Sequence, residues 1–191
     1  MVKVLTSVLI TLVALAAIVA VFIYAGVYNI GADAPHTRFV YGLLDQLRDH
    51  SVASHAREVA VPRDFSEPKR VTAGAGLYAE MCAGCHLGPG IAPTEMSQGL
   101  YPRAPELARG DDLSPAEQFW TIKHGVKLSA MPAWGKTHSD DLIWDMVAFV
   151  RQMPKLSPEQ YKKLVASAPE SHEEMTKDMR AENAPAEARR T

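Results

Sequence analysis

Cysteine is scarce in this sequence: Cys82 and Cys85 are the only two among 191 residues. A zinc site built from four thiolates needs a second pair, so such a site is excluded. A structural disulfide elsewhere in the chain is excluded for the same reason. A strong imbalance of charge is also missing, because the formal net charge is −2. Nothing in the composition therefore points to a nucleic-acid partner.

The two cysteines belong to the stretch Cys82-Ala83-Gly84-Cys85-His86, here called the CAGCH motif. Two thiols three positions apart, followed at once by an imidazole, are typical of covalent haem attachment, in which each thiol adds to a haem vinyl group and the histidine faces the iron. A thioredoxin-like redox dithiol is the alternative, but it expects a βαβ pattern, and no strand-like alternation surrounds the pair. The motif therefore predicts a c-type cytochrome with one covalent haem c.

The N-terminal stretch is long, apolar and uncharged, since no charged residue occurs in residues 4–32. A bilayer core needs about 20 such residues, whereas the apolar part of a secretory signal runs only about 7–15. Residues 14–16 have the A-x-A form of a cleavage site, yet the apolar run continues beyond them. Tyr24 and Tyr28 then stand where an interfacial aromatic belt would lie. We predict that residues 1–31 are a retained transmembrane anchor rather than a removed signal.

Charge says little about the orientation of this anchor, because Lys3 and the N-terminal amine are the only positive groups on its short side. Attachment of a c-type haem is expected to take place outside the bacterial cytoplasm. We therefore expect a single-pass protein of the bacterial inner membrane, with its N-terminus in the cytoplasm and its haem domain in the periplasm.

Residues 32–70 are predicted to be a periplasmic helix and a linker. Apolar residues recur at helical spacing from about Thr37 to Arg57, which indicates an amphipathic helix that continues the anchor outward or lies on the membrane. The residues from Val59 to Pro68 favour an extended linker, because each proline biases its predecessor away from helix. This linker is either a spacer that lets the haem domain reach a partner or a segment that packs on partner subunits.

The haem domain is predicted over residues 71–155. Thr72 can cap a helix that runs into the CAGCH motif. Residues 87–113 are rich in glycine and proline, and no helix of useful length fits there. Because such long irregular segments are uncommon unless functional or disordered, we expect this one to wrap the haem edge.

Two further helices complete the domain, and a short one follows it. Residues 114–117 form a capping box that opens the first, which Gly125 ends. The second begins near Thr137 or Ser139 and stops at Pro154. Residues 156–191 are predicted to hold a short helix, opened by a second capping box at residues 157–160, and a polar, disordered tail from residue 169.

The iron needs a second axial ligand opposite His86, and six methionines follow the motif. Five of them have simpler assignments. Met146 and Met153 lie in the core helix, Met175 and Met179 lie in the polar tail, and Met96 follows His86 by only ten residues. Met131 alone lies on a loop between two helices, stiffened by Pro132. We predict Met131 as the second ligand, so that His86 and Met131 raise the reduction potential and close the iron to substrates.

Taken in order, these features resemble a class I c-type cytochrome of the bacterial membrane-anchored monohaem kind. The resemblance covers about residues 71–155 and is carried by the CAGCH motif together with SAMPAWG at residues 129–135. It implies an all-α fold in which the first and last helices of the haem domain cross where Gly74 meets Phe149.

A further match is the triplet Pro105-Glu106-Leu107, which resembles the P-x-L motif of the same family. This match implies that the Pro105 carbonyl accepts a hydrogen bond from the ring N–H of His86, and that Leu107 packs on the haem. Both residues are accordingly expected to bind the cofactor.

The predicted function is that of a membrane-anchored electron carrier rather than an enzyme, either a shuttle or a subunit of a respiratory or dehydrogenase complex. A haem enzyme or gas sensor with a labile sixth ligand is the alternative, and a purely structural subunit is a third. The expected partners are redox proteins, because the resemblance implies docking at the haem edge. Lys127 and Lys136, with Arg103, would form a positive rim that steers an acidic partner, unless they are an ordinary solvated surface.

Overall fold

The computed structural model describes residues 1–168, and those residues fold entirely into helices and their connections. No strand occurs among them, so the all-α prediction is confirmed. The α-helices of this range are α1 (Val2–Tyr24), α2 (Arg38–His55), α3 (Pro68–Met81), α4 (Ala83–His86), α5 (Glu95–Gly99), α6 (Pro115–His124), α7 (Asp140–Gln152) and α8 (Pro158–Ala166). The predicted disordered tail, residues 169–191, lies outside the described residues.

The chain divides into two compact units, Met1–Pro35 and the residues from His36 onward. The first unit contains α1, of which no residue is buried. This helix is long and apolar enough to cross a membrane, and it is therefore a candidate span by length and composition. It ends at Tyr24, before the predicted anchor boundary at residue 31.

Helix α2 forms where the apolar spacing predicts it. Thr37 is its N-cap, and the Oγ1 atom of Thr37 accepts a hydrogen bond from the backbone N–H of Val40 at 3.3 Å. Residues 25–37 separate α2 from α1, so α2 does not continue the anchor as one helix. One side of α2 packs on α6, where Val52 is buried and the ring of His55 lies 5.3 Å from that of Trp120.

The segment after α2 returns to the core of its own domain. Val59 and Phe65 pack against the buried cluster that includes Leu77, and the ring centroid of Phe65 lies 6.1 Å from that of Trp144. Neither expectation for this linker, a spacer or a segment that packs on a partner subunit, accounts for these contacts. Apolar side chains on both sides of its prolines explain the packing, because burying them removes apolar surface from water.

Helix α3 begins earlier than predicted, and the prediction that Thr72 caps it is wrong. Glu67 is the N-cap and Pro68 occupies the first turn, where its missing N–H costs nothing. Thr72 lies within the helix, and its hydroxyl donates to the Pro68 carbonyl at 3.0 Å. Residues 68–70, expected in the linker, are therefore helical.

Arg70 forms ion pairs that link the start of α3 to the preceding turn and to α7. Its guanidinium lies 2.8 Å from Asp145, 3.0 Å from Asp64 and 3.1 Å from Asp141. Burial opposes the charge of Arg70, but hydrogen bonds with these three carboxylates outweigh it and raise the pKa of Arg70. Burial also raises the pKa of Asp145, although Arg70 partly offsets that effect. The cluster holds α3 and α7 together one turn before they cross.

Helices α3 and α7 cross at Gly74, as the resemblance implies. A Cβ atom at Gly74 would overlap the carbonyl oxygen of Asp145 and would lie 2.9 Å from the Cβ of Phe149. Tyr78, one turn later, is fully buried with its ring 5.2 Å from that of Phe149. The Tyr78 hydroxyl donates to the carbonyl of Leu87 at 2.7 Å, so this crossing supports the residue that follows the CAGCH motif.

Helices α6, α7 and α8 begin where their capping residues predict. Ser114 with Glu117 opens α6, and Gly125 ends it with a positive φ of 66°. Ser139 caps α7, and a second capping box of Ser157 with Gln160 opens α8. These local predictions are confirmed.

Helix α8 packs closely on the backbone that follows the CAGCH motif. Its Tyr161 is buried against Phe149, with 6.1 Å between the ring centroids. A Cβ atom at Gly88 would lie 3.3 Å from the Tyr161 ring, and one at Gly90 would lie 2.7 Å from Pro158. Glycine at both positions therefore allows α8 to approach this segment.

Candidate functional site

The CAGCH motif forms a single helical turn between α3 and the loop that follows. Cys82 ends α3 and begins α4, and its carbonyl accepts hydrogen bonds from the backbone N–H groups of Cys85 at 3.1 Å and His86 at 2.9 Å. Both cysteines are free thiols and half-buried. One rigid turn therefore presents two thiols and an imidazole together.

His86 is oriented by a backbone carbonyl from a distant part of the chain. Its Nδ1 atom lies 2.9 Å from the carbonyl oxygen of Pro105, which can accept only if Nδ1 carries the proton. The lone pair is then on Nε2, the geometry that ligand histidines commonly have. Burial lowers the pKa of His86, opposed by the Pro105 hydrogen bond, so the neutral ring is favoured.

Leu107, in the 3₁₀ turn Leu107–Arg109, packs against the core cluster that contains Tyr78 and Phe149. Cys82 packs against the same cluster. The structure thus brings Pro105 to His86 by a hydrogen bond, and it brings Leu107 and Cys82 to one apolar surface.

The environment of Cys82 does not suit a redox dithiol. Burial, with a smaller contribution from the nearby Cys85, raises the pKa of Cys82 to about 12. Reactive CxxC pairs need a thiol pKa lowered toward neutrality, because the thiolate is the nucleophile. A metal site of the zinc type has no support either, since no group of three His, Cys, Asp or Glu side chains within residues 1–168 could hold a metal ion.

A short helix that was not predicted packs beside the motif. Within the wrapping segment, α5 (Glu95–Gly99) is capped by Thr94, whose hydroxyl also donates to the Gly84 carbonyl. The Sγ atom of Cys85 lies 3.1 Å from the Sδ atom of Met96. The expectation that no helix of useful length fits residues 87–113 therefore missed this short helix of five residues. The signal was present, because Thr94 and Ser97 have capping-box spacing.

Arg103 lies close to the motif. It lines a small cavity together with Cys85, Ser97 and Glu106. Its side chain belongs to an exposed residue, so it adds positive charge beside one of the two thiols.

Met131 is held on a closed loop at the end of α6. Its backbone N–H donates to the Ser129 hydroxyl at 3.1 Å, and its carbonyl accepts from the N–H of Val126 at 3.2 Å. A Cβ atom at Gly125 would lie 2.7 Å from the Met131 carbonyl oxygen, so the glycine lets the loop pack on the helix end. These hydrogen bonds fix the backbone of Met131 within its own loop and do not join it to His86.

The burial of the other methionines agrees with their simpler assignments. Met146 and Met153 are buried in the two core clusters, whereas Met96 is 61% exposed. Met131 is half-buried and belongs to neither cluster. Four methionines in the described part of the chain follow the motif. Met131 is the one of them that neither packs in a core cluster nor is largely exposed to solvent.

The chemistry of these side chains fits a covalently attached haem. Two half-buried thiols on one turn, an imidazole with Nε2 available and a thioether on a separate loop are the donors that such a group needs. A Cβ atom at Gly84, which is exposed, would meet nothing within 4 Å, so the turn is uncovered at this residue.

Comparison with known proteins gives one family. The sequence model of the protein family described as "Cytochrome C oxidase, cbb3-type, subunit III" matches residues 69–150. This range contains every predicted site residue. No curated protein and no solved structure matches the chain. Helices α1, α2 and α8 lie outside the matched range.

Proposed function

We propose that this chain, whose residues 69–150 form a class I c-type cytochrome domain, is an electron carrier that holds one haem c and transfers electrons at a membrane surface on the periplasmic side. The observation that carries this proposal is the CAGCH turn with His86 locked by Pro105. The same turn could hold the haem of an enzyme. The choice between a carrier and an enzyme therefore depends on what would bind the iron opposite His86.

In the proposed site Cys82 and Cys85 would form the two thioether links, and His86 and Met131 would be the protein ligands of the iron. When bound, the iron supplies a centre that accepts and returns one electron. The protein contributes orientation: the Pro105 carbonyl holds the proton of His86 on Nδ1 and leaves the lone pair on Nε2. Leu107 contributes an apolar wall beside Cys82.

The Met131 loop supplies the argument for a carrier rather than an enzyme. Its backbone hydrogen bonds and its packing on Gly125 restrain the loop, which favours a stable rather than a labile thioether ligand. A soft thioether ligand favours ferrous iron and leaves no position for a substrate. Electron exchange through the haem edge is the chemistry that remains.

The proposed location follows from α1 and from the attachment chemistry. Helix α1 is a candidate span at the N-terminus, and we propose that it is retained as the anchor. Because covalent haem attachment of this type takes place outside the cytoplasm, the domain that begins at His36 would face the periplasm, where α1 tethers it.

The proposed partners are redox proteins of the membrane. The matched family is described as a subunit of a cbb3-type oxidase, which supports a role within an oxidoreductase complex, and a tethered shuttle would use the same site. Lys127 and Lys136 are exposed, and neither has an ion pair within residues 1–168. With Arg103 they would attract an acidic partner at a rate that falls as salt rises.

Binding of carbon monoxide distinguishes an electron carrier with a closed iron from a gas sensor with a labile sixth ligand. The ferrous wild-type protein is expected to keep its visible spectrum under carbon monoxide, because Met131 occupies the sixth position. The Met131→Ala variant is expected to bind the gas and shift its Soret band, while a Met96→Leu control behaves as wild type. A wild-type protein that binds the gas as readily as Met131→Ala would contradict the proposal and favour a sensor or enzyme.

A further inference from the structure

Helix α2 presents an apolar face that its own domain does not cover. Phe39, Leu43 and Leu47 follow one another at intervals of four residues, so they lie on one face of the helix on successive turns. Their exposures are 79%, 58% and 64%. These three residues are called here the outer face of α2. Exposed apolar side chains are normally scattered singly, so a row of three indicates a contact surface.

The packing of α2 on its own domain uses the opposite side of the helix. Residues of an α-helix are rotated by about 100° from one to the next, which places Val52 on the side opposite Leu43. Val52 is buried, and α2 packs on α6. The outer face therefore points away from α6.

The outer face has no charged neighbours on its own half of the helix. The same rotation places beside it Val40, Gln46, His50, Ser51, Ala53 and Ser54. The charged residues of α2 lie on the other half, at Arg38, Asp45, Arg48 and Asp49. Charge complementarity to another protein is therefore not what this face offers, whereas contact with hydrocarbon requires no charge.

The chain before α2 connects this face to the candidate membrane span. Residues 25–37 separate the end of α1 from the start of α2 and can reach at most roughly 45 Å when fully extended. The first charged residue after Lys3 is Asp33, and Val27 and Ile30 are 64% and 92% exposed. Exposed apolar side chains thus continue along the chain from the span toward α2. A short tether also makes a second contact with the same bilayer intramolecular, so a modest apolar face is sufficient.

We propose that the outer face of α2 binds the surface of the phospholipid bilayer that α1 crosses, with its three side chains inserted between the headgroups and the acyl chains. The proposal rests on one part of the proposed function, the retained anchor. Amphipathic helices lie in the plane of a membrane in this way, and their binding increases with the apolar area that they bury. Because the outer face is uncharged, uncharged phosphatidylcholine is enough to bind it.

Such a contact would orient the haem domain on the membrane. The opposite side of α2 packs on α6, where the ring of His55 lies 5.3 Å from that of Trp120. A bilayer contact of α2 is therefore transmitted to the haem domain through α6, and it limits the tumbling of that domain on its tether. This restraint favours electron transfer at a fixed orientation over a widely moving shuttle.

The test places one cysteine at Leu47 or at Asp49 in the full-length protein, reconstituted at one copy per phosphatidylcholine vesicle. Two residues apart, these positions lie on nearly opposite sides of α2, and both side chains are exposed, at 64% and 60%. The rate of alkylation by a membrane-impermeant maleimide is measured for each variant and divided by its rate in urea, which removes differences in thiol reactivity. Peptide mass identifies the alkylated residue, so the result does not depend on haem.

Leu47→Cys is expected to react about tenfold more slowly than the matched control Asp49→Cys, a factor that the burial of a single leucine can sustain. Equal rates in protein that keeps α1 would overturn this proposal alone. Protection of Leu47→Cys that is absent in pure lipid but present in native membranes would assign the face to a partner protein and overturn it. Protection that appears only as copies per vesicle increase would assign it to a second copy, with the same consequence. A mature protein that lacks α1 would contradict the proposed anchor and this proposal together.

Discussion

Replacement of both Cys82 and Cys85 by alanine is expected to abolish covalent haem in the protein recovered from membranes. Each thiol is expected to form one thioether bond, so either single variant should retain one link and the double variant none. Intact-mass analysis and haem staining after denaturing electrophoresis measure the outcome directly. The expected loss is complete because no other cysteine exists in the sequence to replace them.

Met96→Leu is the matched control for this experiment. It removes the sulfur that lies 3.1 Å from the Cys85 Sγ atom but leaves both cysteines in place. Covalent haem should be attached to this variant in wild-type yield. Thioether-linked haem in the double cysteine variant would contradict the assignment of the CAGCH motif.

Gly74→Ala is expected to destabilise the haem domain by about 3 kcal/mol, at the upper end of the usual cost of overpacking. The added Cβ atom would overlap the backbone carbonyl of Asp145, which cannot move without shifting α7. The substitution improves helix propensity by about 1 kcal/mol, and the steric cost exceeds that gain. Urea unfolding of the detergent-solubilised protein, followed by tryptophan fluorescence, measures the change in midpoint.

Gly42→Ala makes the same chemical change inside α2, where an added Cβ atom would meet nothing within 4 Å. This control is expected to be stabilised by about 0.5–1 kcal/mol, because alanine restricts the unfolded chain and favours helix. An unfolding midpoint that is unchanged in Gly74→Ala would show that α3 and α7 do not pack closely at this point.

Local signals predict most of the helices of this chain. The capping boxes at Ser114 and Ser157 begin helices because each satisfies two backbone N–H groups that the first turn leaves unpaired. The start of α3 was misplaced because a threonine at residue 72 competes as a cap with Pro68, and the proline, pre-set for the first turn, is the stronger signal.

Contacts between distant segments are the part that the sequence does not predict. Val59 and Phe65 have the sequence pattern of a linker, and their burial depends on where α3, α6 and α7 place an apolar surface. The closeness of Gly90 to Pro158 likewise depends on the path of α8, which local propensity does not encode. Such pairs are set by tertiary packing, which overrides local preference.

The candidate site divides in the same way. The CAGCH motif is local, so residue types and spacing alone predict a haem site there. The bond between His86 and the Pro105 carbonyl joins residues far apart in sequence, and only family resemblance indicated it. The sequence does not predict the contact of Cys85 with Met96 or the positive φ of 60° at Leu128. Both arise from loops whose shape depends on several hydrogen bonds at once.

The ferric visible spectrum of the purified full-length protein tests the central claim, that His86 and Met131 close the iron, most directly. Ligation by His86 and Met131 predicts a low-spin spectrum with a methionine–iron charge-transfer band near the red end, present in wild type and in Met96→Leu and lost in Met131→Ala. A high-spin wild-type spectrum, or a charge-transfer band that survives in Met131→Ala, would contradict it.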